Sequence, residues 1–161
     1  MTTPYLILDL KTDEGCRLEA YPDPLSGGAP WTIGYGHTGS DVRPGLTWPQ
    51  EHAEDALVSD VMRTKASLDR FVAWWRGLDD VRQDVLVNMT FNMGVERLLG
   101  FSEMLAALKS KDFLAAAAQM LNSEWARQLP RRADRLAEQM KLGERPTQSH
   151  SAPAQGQPAL N

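Results

Sequence analysis

Between Asp13 and His37 the chain reads DEGCRLEAYPDPLSGGAPWTIGYGH, with Glu14, Asp23 and Thr32 each nine residues from the next. Two carboxyl groups can hydrolyse a glycosidic bond between them. One, protonated, donates to the leaving oxygen; the other, ionised, activates a water or attacks the sugar. A threonine close to the second carboxyl is suited to holding that water. Acids at this spacing occur by chance in many chains, so spacing alone does not select the chemistry. What favours a meeting of the two groups is the composition around them, where Gly15, Gly27, Gly28, Gly34 and Gly36 are interspersed with Pro22, Pro24 and Pro30. Such a stretch cannot continue as one helix and must fold back on itself. His37, which ends it, has the titration range of a base. His37, His52, His150 and Cys16 share no metal-ligand spacing, so no metal is expected.

The elements that must position these residues follow from caps and periodicity. Thr3 and Pro4 form an N-cap and first-turn pair, and Tyr5, Leu6, Leu8 and Leu10 supply apolar surface for a short helix ending at Glu14 and Gly15. Glu14 then sits at the negative end of the helix dipole, where a carboxyl is expected to hold its proton more tightly or to have a basic partner. RLEAYPD and WTIGYGH alternate in polarity and predict two strands joined through PLSGGAP. Thr47 and Gln50 match a capping box, which predicts a helix opening at Thr47 and continuing to Leu68. A second long helix, capped by Asp79 and ended by Gly94, turns Val81, Val85, Leu86, Met89 and Met93 inward. Shorter helices are expected over 101–109 and 112–125, and a last one from Pro130 to Leu142, stopped by Gly143.

At 161 residues the chain fits one domain with a core of its own. Residues 146–161, rich in Pro, Gln, Ser and Ala, are expected to be a disordered tail after a domain spanning 1–145. Net charge is −4, which argues against wholesale binding of nucleic acid, although Arg127, Arg131, Arg132 and Arg135 cluster against Asp134 alone. Cys16 is the only cysteine, so no intrachain disulfide can form, and it is read as a small packing residue. The start MTTPYLILDLK lacks the pattern of a signal peptide, and no apolar run approaches the ~20 residues of a membrane span. Neither export nor membrane insertion is expected. Trp74 and Trp75 are read as packing residues.

The blocks DEGCRLEAYPD and WTIGYGH, followed by LTWPQEHAEDAL, LDDVRQDVLVNMTFNMG and SEWARQLPRRADR, resemble the bacteriophage-type lysozymes, the endolysin family of muramidases. The likeness spans residues 6–143 in one order. It implies an α+β, mainly helical lysozyme-like fold, with a small N-terminal β-hairpin lobe over about 16–46 and a larger helical lobe. By the same resemblance Glu14 matches the general acid, Asp23 the second catalytic carboxylate, and Thr32 the threonine that helps place the attacking water. Phe91, Asn92 and Trp125 match substrate contacts on the cleft wall. Arg132 matches the arginine that pairs with the catalytic glutamate, and His37 a structural histidine bonded to an acid of the helical lobe. One departure is visible: eight residues, PLSGGAPW, separate Asp23 from Thr32 where the family commonly has five.

The implied activity is hydrolysis of the β-1,4 bond between N-acetylmuramic acid and N-acetylglucosamine in peptidoglycan, without a cofactor and leading to host cell lysis. A monomer is expected, held in the host cytoplasm until a pore-forming, holin-type membrane partner releases it to the wall. Two rivals use the same fold: a lytic transglycosylase, which needs neither Asp23 nor Thr32, and a non-catalytic wall-binding module.

Overall fold

The computed structural model describes residues 3–146, so the segment expected as a tail lies outside the described residues from residue 147 onward. Helix α1 (Pro4–Glu14) begins as its sequence predicts: the Thr3 side chain accepts from the Leu6 backbone N–H at 3.2 Å. Leu6 and Leu10, one turn apart, are buried on the face that meets α3. The helix stops at Gly15, whose φ is +64°.

A three-stranded antiparallel sheet follows, with β1 (Arg17–Tyr21), β2 (Thr32–Gly34) and β3 (His37–Thr38) in sequence order. Thr32 stands opposite Tyr21 on one side and Thr38 on the other, with an irregular register between Arg17 and Tyr21. The hairpin expectation accounts for β1 and β2. It did not include β3, which Tyr35 and Gly36 turn back onto β2.

The helix expected at Thr47 opens three residues later. Thr47 instead bridges Glu19, and backbone N–H groups of Ala20 and Trp48 bond to the carbonyls of Leu46 and Leu18. Pro49 disfavours helical backbone at Trp48, so the segment extends the sheet edge, and α2 (Gln50–Phe71) starts with Pro49 at the cap position and no side-chain cap. Ala53, Leu57, Val61 and Leu68 give α2 its buried stripe.

Past a 3₁₀ turn at Trp75–Gly77, α3 (Asp80–Met93) runs through the large lobe, capped by Asp79 and stopped at Gly94. All but one of its predicted inward residues are buried; Met93 is half-buried. Then come α4 (Val95–Leu99), absent from the sequence expectation, α5 (Ser102–Lys109), α6 (Phe113–Leu121), α7 (Glu124–Gln128) and α8 (Pro130–Leu142). The single helix expected over 112–125 is two, because Ser123 accepts from the Ala126 N–H and restarts the chain as α7. Helix α8 packs on α3, α6 and α7. One apolar core joins both lobes through Ile33, Leu57, Leu86 and Leu136. Trp75 lies fully inside this core and Trp74 packs against it, whereas Cys16, expected to pack, is exposed.

Candidate active site

Glu14 is the last residue of α1, where its carboxyl faces both lobes. From the large lobe, Arg132 of α8 brings Nη1 to 2.9 Å from Glu14 Oε1. That is ion-pair distance, but the approach is off the hydrogen-bond axis, and Oε1 has no hydrogen-bond partner among the described residues. From the small lobe, Gly36 closes on the other oxygen. Its φ is +75°, and a Cβ built there would lie 3.1 Å from Glu14 Oε2. Both the backbone conformation and the space therefore call for glycine between β2 and β3.

Arg132 is itself held. Its Nε donates to Asn88 Oδ1 at 2.9 Å, while Asn88 Nδ2 donates to Asp13 Oδ2 at 3.0 Å. Arg135, one turn along α8, clasps Asp13 through Nη1 and Nη2 at 2.8 and 2.6 Å. Asn88, Arg132 and the Asp13 side chain are all nearly excluded from solvent. The result is a buried ladder from α3 through α8 to the end of α1. It offsets the unfavourable dipole at Glu14 with a fixed guanidinium. Sequence reading gave Arg132 a site role and noted Arg135 only as part of an arginine cluster, but did not single out Asp13 or Asn88. The available signals were a polar Asn88 inside the apolar run VLVNM and two arginines three apart on one helix face.

Asp23 leaves β1 into the loop 23–28, which the Asp23 N–H and C=O close by bonding to Gly28 O and Gly27 N at 2.9 and 2.8 Å. Its Oδ1 accepts from the backbone N–H groups of Leu25 and Ser26, both at 2.9 Å. These two bonds, that from Ser26 foremost, hold the carboxyl below the usual aspartate range. The Ser26 side chain adds a further hydrogen bond to the same carboxyl. Thr32 opens β2, half-buried and paired with Tyr21 of the strand that ends beside Asp23. The eight residues between Asp23 and Thr32 form the closed loop and the approach to β2.

His37 is buried between two carboxylates: Nδ1 lies 2.7 Å from Asp60 Oδ2 of α2, and Nε2 3.1 Å from Asp41 Oδ2. The first contact joins β3 to the helical lobe. The neighbouring residues Phe91 and Asn92 part company at the end of α3. Phe91 lines a cavity of about 310 Å³ with Gly36 and Asp60. Asn92 lines a larger one of about 670 Å³ with Phe101 and Trp125. Trp125 Nε1 donates to Asn92 Oδ1 at 2.9 Å, and its ring meets Phe101 edge-on.

A helix-end glutamate fixed by a buried arginine, set beside a small antiparallel sheet on a mainly helical α+β frame, defines a glycoside hydrolase of the lysozyme class. A family model described as phage lysozyme matches residues 11–139, and the chain belongs to that family. It is 27% identical over 159 residues to the probable T4-type lysozyme 1 of Dictyostelium discoideum, covering 83% of this chain and 92% of that protein. An endolysin of Bacillus phage B103 is 35% identical over 115 residues, 70% of this chain and 41% of that one. The pre-baseplate central spike protein Gp5 of Enterobacteria phage T4 is 29% identical over 151 residues, 79% of this chain and 26% of that one.

Proposed function

We propose that this lysozyme hydrolyses the β-1,4 bond between N-acetylmuramic acid and N-acetylglucosamine in peptidoglycan, and that it serves lysis of a host cell. The observation that carries the reading is the Glu14 carboxyl, clamped at 2.9 Å by Arg132 and cleared on its other side by Gly36. Glu14 donates the proton to the leaving oxygen. Asp23 stays ionised and, with Thr32, holds the water that attacks from the opposite face of the sugar. An ionised carboxylate whose orientation is fixed by backbone N–H groups is suited to orienting a water. Phe91, Asn92 and Trp125 contact the glycan, while His37 and Arg132 support the two lobes around it. Proton and water are both handled by side chains, so no step calls for a cofactor or a metal.

The enzyme acts as a monomer and reaches the wall from the host cytoplasm through a holin-type pore. No helix among the described residues is long and apolar enough to cross a membrane. Mass spectrometry of digests of purified peptidoglycan tests the bond and the reaction together. Fragments ending in reducing N-acetylmuramic acid are expected. Anhydro-muramic ends would replace hydrolysis with transglycosylation, and reducing N-acetylglucosamine ends would assign the wrong bond.

A further inference from the structure

Gly36, where a Cβ would meet the Glu14 carboxyl, also lines the cavity of about 310 Å³ with Phe91. Its wall along α2 and α3 carries the hydroxyls of Thr64, Ser67 and Thr90. Each of these has its proton committed one turn back along its own helix. Thr64 donates to Asp60 O at 2.8 Å, Ser67 to Arg63 O at 3.2 Å and Thr90 to Leu86 O at 2.7 Å. Thr90 is itself nearly excluded from solvent. Hydroxyls whose protons are so committed keep lone pairs to accept with, and Thr64 and Ser67 suit this wall to a ligand's O–H and N–H groups.

The charges at the cavity are differently arranged. Arg63 is the cation among its lining residues, and its side chain is 68% exposed. Asp60 holds it from below: one carboxylate oxygen takes Arg63 Nη2 while the other takes His37 Nδ1. Asp60 is thus shared between two donors, and the guanidinium is steadied at the mouth with most of its surface facing solvent. A planar fork so placed is suited to a carboxylate.

We infer that Arg63 is a specificity-determining residue, taking a carboxylate borne by the glycan while Thr64 and Ser67 accept from its sugar donors. The inference rests on the glycan substrate proposed above. A wall glycan has two sources of carboxylate: the lactyl group of muramic acid when its peptide has been removed, and the stem peptide when it has not.

Steady-state kinetics on three soluble substrates separates these sources. The first is glycan chains stripped of peptide by an amidase, with free lactyl carboxylates. The second is the same chains converted to neutral methylamides, and the third is uncross-linked chains with intact peptides. The wild-type protein is expected to show a KM about fivefold higher for the neutral chains than for whichever charged chain supplies the carboxylate, with kcat little changed. In Arg63→Ala that KM ratio should collapse to about one, and in Arg63→Lys it should recover in part. The charged substrate that loses affinity in Arg63→Ala identifies the source. Cleavage of all three by the wild type with one common KM overturns the carboxylate subsite and leaves the glycan reading standing. A KM ratio in Arg63→Ala equal to the wild type's also overturns it, as does a parallel loss on neutral chains, which would make Arg63 only a prop for Asp60. Failure to cleave any of the three removes both readings.

Discussion

Glu14 places its carboxyl at the end of α1 least suited to an anion, and Arg132 meets it there from α8 with Asn88 and Asp13 fixing the guanidinium. A carboxyl so placed can be exchanged for an amide of the same shape without emptying the site. Glu14→Gln is therefore expected to fold as the wild type does and to lose at least ~10²–10⁴ in kcat, the usual contribution of acid–base catalysis. Circular dichroism and clearing of wall suspensions measure the two halves of that statement. Near-normal clearing by folded variant would contradict the role of Glu14. Asp23 differs from Glu14 in every respect that matters. It lies on a loop, its bonding is to backbone N–H groups, and these hold it ionised to lower pH than an ordinary aspartate.

The elements set how closely these groups are held. Gly36, in the turn between β2 and β3, has φ +75° and would place a Cβ 3.1 Å from Glu14 Oε2. Gly36→Ala is expected to cost about 1–2 kcal/mol of stability from the left-handed backbone. It should also cost about tenfold or more in kcat, because the methyl displaces the carboxyl from its working position. Thermal unfolding and kinetics on the same preparation check both. Much of this frame was legible beforehand, and for physical reasons. Thr3 with Pro4, Asp79, and Pro130 with Gly143 are local cap signals, and α1, α3 and α8 begin or end where those signals fall. The capping-box pattern at Thr47 misled because its backbone was claimed by the sheet: Thr47 bridges Glu19, a partner 28 positions away that no local window contains. Helix α4 and the break at Ser123 were missed for a related reason, since helices this short lack the turns that make periodicity visible. At the site, Glu14, Arg132 and His37 stood out in the sequence. The buried partners Asp13 and Asn88 did not, because their importance comes from α3, α8 and α1 meeting in space.

At the scale of the whole molecule, two lobes share one apolar core and are tied across it by His37 to Asp60, while Lys11 to Glu54 joins α1 to α2. A second set of charges collects where α1, α3 and α8 converge. There Asp84 accepts from Thr3 and pairs with Arg145, close to Asp9 and Asp13. Burial, together with the neighbouring carboxylates and against Arg135, raises the Asp9 carboxyl above the ordinary aspartate value. A group raised in this way stabilises the fold fully only below its unfolded value of ~3.9 and loses that contribution as pH rises through the folded value. Asp9→Asn is therefore expected to melt higher than the wild type at neutral pH, with the difference vanishing below the ordinary aspartate range; thermal melts across pH check it. In the proposed mechanism the two lobes bring opposed carboxyls to one bond, Glu14 to give a proton and Asp23 to hold the water. Proton NMR of the first products from a soluble muropeptide chain tests it most directly. Attack by a water on the face opposite the leaving group inverts the sugar, so the α-anomer should appear first and mutarotate afterwards. A first-formed β-anomer, or a glycosyl adduct trapped on Asp23, would make that carboxylate the nucleophile and contradict the account.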